Sequence, residues 1–186
     1  VLIGSLRRPF DLDDDPRLSQ LSQEAHVAYS RTLFRLPLAA LRYPAGVLRV
    51  LKDALSKDAG SPKMRIKAMV QGFAGLCLAH KLRHEGIQHI HAHMAHSATS
   101  LAMYTSLALE IPFTFTGHAQ DLFVSSRGLK QKLQWAAGVA AISYWHQDFY
   151  KQMSPEAPRA PVIRCGVDTS QFAPVPNNET SELNIL

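Results

Sequence analysis

Cysteine is scarce in this chain: Cys77 and Cys165 are the two in 186 residues, and they form no CxxC pair. That scarcity excludes a disulfide scaffold and a cysteine-built zinc ribbon, and it fits a reducing compartment. The cytoplasm is the expected location. Long apolar runs are also missing, since none approaches the roughly 18 to 20 residues that a membrane helix needs. Acidic residues nearly vanish from one stretch: between Arg31 and Arg83 eleven Lys or Arg face only Asp53 and Asp58. This accounts for most of the +5 net charge and points to an anionic partner, without separating nucleotide from lipid. The aromatic and basic interleaving of single-strand binders is absent, so nucleic acid is not expected. Neither internal repeats nor low-complexity segments occur. What remains, at 46% hydrophobic residues, is enough to bury the core of one domain.

The order of elements gives the class. "VLIGSLRR" reads as a strand running into the loop "PFDLDDDPRLS". Two basic helical stretches follow, "LPLAALRYPAGVLRVLKDALSK", interrupted at Pro44 and Gly46, and "SPKMRIKAMVQGFAGLCLAHKLRHEG". In the second, Ser61 caps, Pro62 suits the first turn and Gly86 the exit, while Ile66, Met69, Val70, Phe73, Leu76 and Cys77 form one apolar face. Strands then alternate with helices: "IQHIHAH" with "SATSLAMYTSLALE", "PFTFTGH" with "LKQKLQWAAG", "VAAIS" with "YWHQDFYKQM", and a last strand "APVIRCGV". This alternation predicts an α/β fold of parallel β-α-β units with right-handed crossovers. Ligands of such sheets sit beyond the carboxyl ends of the strands, so "HAHMAH", "TGHAQD", "AIS" and "RCGVD" are expected along one edge. The tail "APVPNNETSE" reads as a linker.

"HIHAHMAH" gathers four of nine histidines into eight residues. On a strand, His89, His91 and His93 share one face while Ile90 and Ala92 share the other. The spacing of His91, His93 and His96 is that of metallo-β-lactamase-like hydrolases, with His118 and Asp121 available as further ligands. Those enzymes carry an Asp before the last His, where this chain has Ala95. The alternative is that some of these histidines are hydrogen-bonded residues that seat the strand, His89 above all. His118 has the strongest functional case, because it follows "FTFTG" at a strand tip, with Gly117 supplying backbone freedom. An imidazole's ordinary pKa of about 6.5 lets it donate or accept near neutrality. Asp121 can orient His118, cap the next turn, or stand in solvent.

Taken in order, "HIHAHMAHSATSLAMYTSLALEIPFTFTGHAQDLF", "VAAISYWHQDFYKQM" and "VIRCGVDTSQFAP" resemble the amino-terminal domain of family 4 glycosyltransferases of the GT-B fold, of the bacterial exopolysaccharide and colanic-acid type. The resemblance implies a Rossmann-like parallel sheet flanked by helices, the N-terminal half of a GT-B architecture, incomplete at both ends. Residues 1–164 would form the acceptor-side domain without its first strand, 165–182 the interdomain connection, and 183–186 the start of a donor-binding domain. It implies retaining transfer of a sugar from a nucleotide-sugar donor to an acceptor hydroxyl. His118 would be the catalytic residue, hydrogen-bonding the donor sugar and stabilising developing charge. His93, Gly117 and Asp121 would line the same cleft as substrate-binding positions. Gly166, Val167, Asp168 and Phe172 would form the connection, with Gly166 permitting a sharp turn and Phe172 anchoring it.

No metal or other cofactor is expected on this likeness, the nucleotide sugar being a substrate. The paired glutamates that the family's donor domain carries eight positions apart have no counterpart here, so the chain alone is expected to be inactive. A sugar or lipid-linked acceptor is the expected partner. Arg31, Arg35, Arg42, Arg49 and Lys52, interleaved with Leu33, Leu36, Leu41, Val47 and Leu48, would suit peripheral contact with an anionic membrane, the alternative being an ordinary solvated face. The rival functions are the histidine-built metal hydrolase and a non-catalytic binding module.

Overall fold

The computed structural model describes residues 4–5, 26–27, 33–56, 60–123, 128–166 and 169. Within them the chain is α/β. Two short strands, β1 (Gly4–Ser5) and β2 (His26–Val27), pair in parallel. The second of these was not signalled by any alternation in the sequence. The larger sheet contains β3 (Ile90–His93), β4 (Phe113–Thr116) and β5 (Gly138–Ala140), all parallel and adjacent in chain order. Its register sets Ile90 beside Phe113 and Thr116 beside Ala140. The expected last strand is reduced to a single parallel bridge, Ala141 to Val162, because Pro161 has no N–H to give a ladder.

The helices are α1 (Leu36–Arg42), α2 (Pro44–Leu55), α3 (Pro62–Leu82), α4 (Ser97–Leu109), α5 (Ala119–Phe123), α6 (Leu129–Trp135) and α7 (Tyr144–Met153). Among the described residues, no helix is long and apolar enough to cross a membrane. Phe113 and Phe115 bury on the same face as Ala92 and Val139, while Thr114 and Thr116 alternate to the opposite face with His91 and His93. Burying one such phenylalanine contributes about 1.5 to 3 kcal/mol. Helix α4 lies on this apolar face and under α3, which is why it buries an unbroken run from Thr99 to Ser106 and lacks a polar stripe. It stops at Glu110, which adopts a left-handed conformation two residues before Pro112.

Two expectations about the helices are corrected. Gly46 does not interrupt anything; the break is at Tyr43, which precedes Pro44 and takes a non-helical conformation. In α3 the buried face is Gly72, Ala74, Gly75, Leu76, Cys77 and Ala79, whereas Ile66 and Val70 are exposed. The reason is close helix packing. A Cβ on Gly72 would stand 2.6 Å from Val50, and one on Gly75 would stand 2.8 Å from Tyr104 Cβ and 3.0 Å from the Leu101 carbonyl oxygen. Small residues, not large apolar ones, set this seam. Across it, Thr105 Oγ1 donates to the Gly75 carbonyl at 3.0 Å.

A second seam joins α2, α4 and α6. Arg49 lies 3.7 Å above the Trp135 ring and pairs with Asp53 at 3.2 Å, and Tyr104 donates to the same carboxylate at 3.0 Å. Arg49 is therefore engaged within the fold and not presented to an outside partner. Of the apolar positions interleaved with the basic ones, Leu36 and Val47 pack on the core, while Leu41 and Leu48 remain exposed.

Candidate functional site

The carboxyl ends of β3 and β4 meet at one place. After His93 the chain turns sharply through Met94, whose φ of 76° is uncommon for a residue with a Cβ. Two backbone anchors hold that turn: Met94 N–H donates to the Thr116 carbonyl at 2.9 Å, and the Thr99 hydroxyl donates to the Met94 carbonyl at 2.8 Å. The β4 strand continues through Gly117 and His118 into α5. These turns bring the two imidazoles together, with His118 Nε2 3.0 Å from His93 Nε2 and ring centroids 4.7 Å apart.

A nitrogen-to-nitrogen contact of this length needs one donor and one acceptor, so one ring carries the Nε2 proton and the other receives it. His93 is exposed and His118 partly so. The pair can present a hydrogen bond to an incoming oxygen or take up one proton between its two rings.

Asp121 fixes this arrangement from below. Only 2% exposed, it is not a solvated carboxylate. Its Oδ2 accepts from Ala95 N–H at 2.8 Å and from His118 N–H at 3.0 Å, tying both strand-end loops to one group. Its Oδ1 stands 2.9 Å from His96 Nε2. Asp121 thus holds the backbone of His118, and its contact with an imidazole is with His96. It lies beneath the mouth instead of lining it.

Gly117 is also buried, and the reason for a glycine differs from the expected one. Its φ is not in the left-handed region. The constraint is space: a Cβ would meet the Tyr150 hydroxyl at 2.5 Å and Ala95 Cβ at 3.4 Å. Burial, followed by the Asp121 charge, pushes the Tyr150 phenol up to about 12, with the Gly117 backbone opposing.

The remaining histidines of the cluster turn elsewhere. His91 places Nδ1 2.8 Å from the Thr114 hydroxyl and Nε2 3.2 Å from that of Thr116, and His89 Nε2 lies 2.9 Å from Thr114. Burial, then the charges of His93 and His89, lower the His91 pKa. His91, His93 and His96 therefore engage different partners, and no group of three or more metal-binding side chains occurs among the described residues. His89 is hydrogen-bonded, as expected, but stands one residue before β3.

Two residues near the site, Lys132 and His146, were not singled out from sequence, and a third, His96, was read in another role. Lys132, 7% exposed, donates from Nζ to the Ala95 carbonyl at 2.7 Å and to that of His96 at 3.0 Å. Its position between Leu129 and Leu133 on the buried face of α6 was a readable signal. His146 is buried on α7, its Nδ1 2.8 Å from the Ser143 hydroxyl, and burial followed by the charge of His118 lowers its pKa. His96 was weighed as a metal ligand and not as the partner of Asp121.

Of the connection residues, Gly166 is exposed. A Cβ there would meet nothing within 4 Å. Val167, Asp168 and Phe172 lie outside the described residues. No protein-family model matches the sequence, and no curated protein matches it.

Proposed function

We propose that this chain is the acceptor-side domain of a retaining glycosyltransferase of cell-surface polysaccharide or glycolipid synthesis, and that His118 is its catalytic residue. The observation that carries the reading is the His93–His118 pair at the carboxyl ends of adjacent parallel strands, where sheets of this class place their ligands. The resemblance of "HAHMAH", "TGHAQD" and "RCGVD" to the family 4 enzymes supplies the reaction.

In that reaction the bond from the anomeric carbon to the donor's phosphate oxygen breaks. A bond to the acceptor oxygen forms on the same face, and the acceptor hydroxyl passes its proton to the departing phosphate oxygen. His118 donates a hydrogen bond to the sugar and steadies charge as the bond breaks, while His93 fixes the orientation of its ring. Asp121 and Gly117 hold the backbone that presents His118. The donor nucleotide is held mainly by a second domain, so the isolated chain turns over poorly or not at all. The whole protein works in the cytoplasm, and the exposed Leu41 and Leu48 beside Arg42 and Lys52 touch the anionic membrane face that carries a lipid-linked acceptor.

The test is a panel of radiolabelled nucleotide sugars offered to the isolated chain and to the protein from its complete reading frame. Transfer by the latter with little by the former is expected. Efficient turnover by the isolated chain overturns the division of labour, and near-stoichiometric zinc in purified protein would favour the hydrolase instead.

A further inference from the structure

Between α2, α3, α4 and α6, and lined by neither His93 nor His118, lies a cavity of about 710 Å³ that the proposed transfer reaction does not use. Among the described residues, four cations, Arg49, Lys67, Lys130 and Lys132, line it against one carboxylate, Asp53. That carboxylate is already neutralised by Arg49 and hydrogen-bonded by Tyr104. The described lining is therefore net positive, with its carboxylate occupied. Lys67 and Lys130 make no ion pair or hydrogen bond among the described residues.

Lys132 is the least expected of the four. Two of its three N–H donors are spent on the carbonyls of Ala95 and His96, and no described group accepts the third. Asp121 supports the Lys132 ammonium from one side, and the charge of Lys67, on the cavity wall, acts against it from another. The opening turn of α4 also faces this space through Ser97 and Ser100, adding the positive end of a helix to the same lining. Gln71 donates to the Ser97 hydroxyl at 2.7 Å and completes the polar wall, and Trp135 with Met103 supplies an apolar one.

We infer that this cavity binds the phosphate group of a phosphorylated ligand, with Lys67 and Lys132 as its cationic clamp beside the first turn of α4. A phosphate suits the site because lysines meet it as point charges from several sides, where a planar carboxylate favours the fork of an arginine. The volume leaves room beside the phosphate for a further moiety against Trp135. The site is separate from the His93–His118 mouth, although His96 lines the cavity and meets Asp121, so occupancy bears on the loop that follows β3.

The test is titration calorimetry on the whole chain with inorganic phosphate and with glucose 1-phosphate, alongside flotation with phosphatidylcholine vesicles containing phosphatidylglycerol. Lys67→Ala is the diagnostic variant, and Lys63→Ala is its charge-matched control, one turn earlier on the same helix and outside the cavity lining. Lys132→Met risks the fold and is not needed. Loss of one charge-assisted contact weakens binding roughly 10- to 100-fold. Expected is saturable binding of at least one probe, weakened by that factor in Lys67→Ala and unchanged in Lys63→Ala. Binding of the soluble phosphates assigns a free metabolite, and vesicle binding without them assigns a lipid headgroup. Absence of binding to all three probes, or equal weakening by the two variants, overturns the site.

Discussion

Replacing Asp121 measures how far one carboxylate holds the strand-end loops in place. In Asp121→Ala, the N–H groups of buried Ala95 and half-buried His118 lose their acceptor, at about 1 to 3 kcal/mol each. Lys132 also loses the nearby negative charge that favours its ammonium form. Removing one member of such a buried charged set costs roughly 3 to 5 kcal/mol in all. Asp121→Asn keeps an oxygen where Oδ2 stands and retains both backbone bonds while removing the charge, so its cost is nearer about 1 to 2 kcal/mol. Urea unfolding at neutral pH, followed by circular dichroism, reads both values from the midpoint shift at constant slope. Equal losses for Asn and Ala would refute the claim that backbone acceptance is Asp121's main work. A loss below about 1 kcal/mol in Asp121→Ala would refute the anchoring role altogether.

Other perturbations test other links. Gly117→Ala forces the Tyr150 hydroxyl back by roughly 0.8 Å toward an ordinary carbon-to-oxygen contact and should destabilise by about 1 to 3 kcal/mol; in a Tyr150→Phe background most of that loss should vanish, and additive losses would contradict the steric account. Gly75→Ala drives a Cβ into the backbone of α4 and should cost at least about 1 kcal/mol more than Gly46→Ala, whose Cβ meets only a movable Leu76 side chain, by the same unfolding assay. Burial pushes the Lys132 ammonium down to about 8, Asp121 opposing and Lys67 adding to it, from an ordinary 10.5. Between those two values the unfolded chain binds a proton that the native chain does not, so stability rises with pH by up to about 3 kcal/mol from this group. The raised phenols of Tyr104 and Tyr150 act in the opposite direction above about pH 10. The effect is therefore read as the difference between the wild type and Lys132→Met from pH 8 to 10, and a flat difference would contradict it.

The parallel core was legible because periodicity reports burial. "FTFT" alternates with period two and proved to be a strand with one buried face, and "YWHQDFYKQM" coincides with α7 from its first residue to its last. The seam between α3 and α4 was not legible in the same way. A search for large apolar residues selects Ile66 and Val70, while the contact depends on the absence of side chains at Gly72 and Gly75.

At the site, sequence position located His118 and His93 at strand ends, since topology alone brings those ends together. It did not reveal which histidines would pair. His91 and His93 stand two residues apart on one face, yet only His93 reaches past the sheet to His118, while His91 is captured by threonines on the neighbouring strand. Gly117 was read as a conformational residue and is a spatial one, because its constraint comes from Tyr150, 33 positions away. Lys132 escaped notice for a similar reason: its partners are carbonyl groups, which no side-chain motif announces.

The most direct test of the proposed function uses the protein from its complete reading frame with its best nucleotide sugar and an acceptor extract. Initial rates are compared between the wild type and His118→Ala, and the anomeric configuration of the product is read by proton NMR. The account predicts a product of retained configuration and a fall in kcat of about 10²- to 10³-fold in His118→Ala, the scale for losing one group that stabilises charge in the transition state. An unchanged kcat in that variant, or a product of inverted configuration, would contradict it.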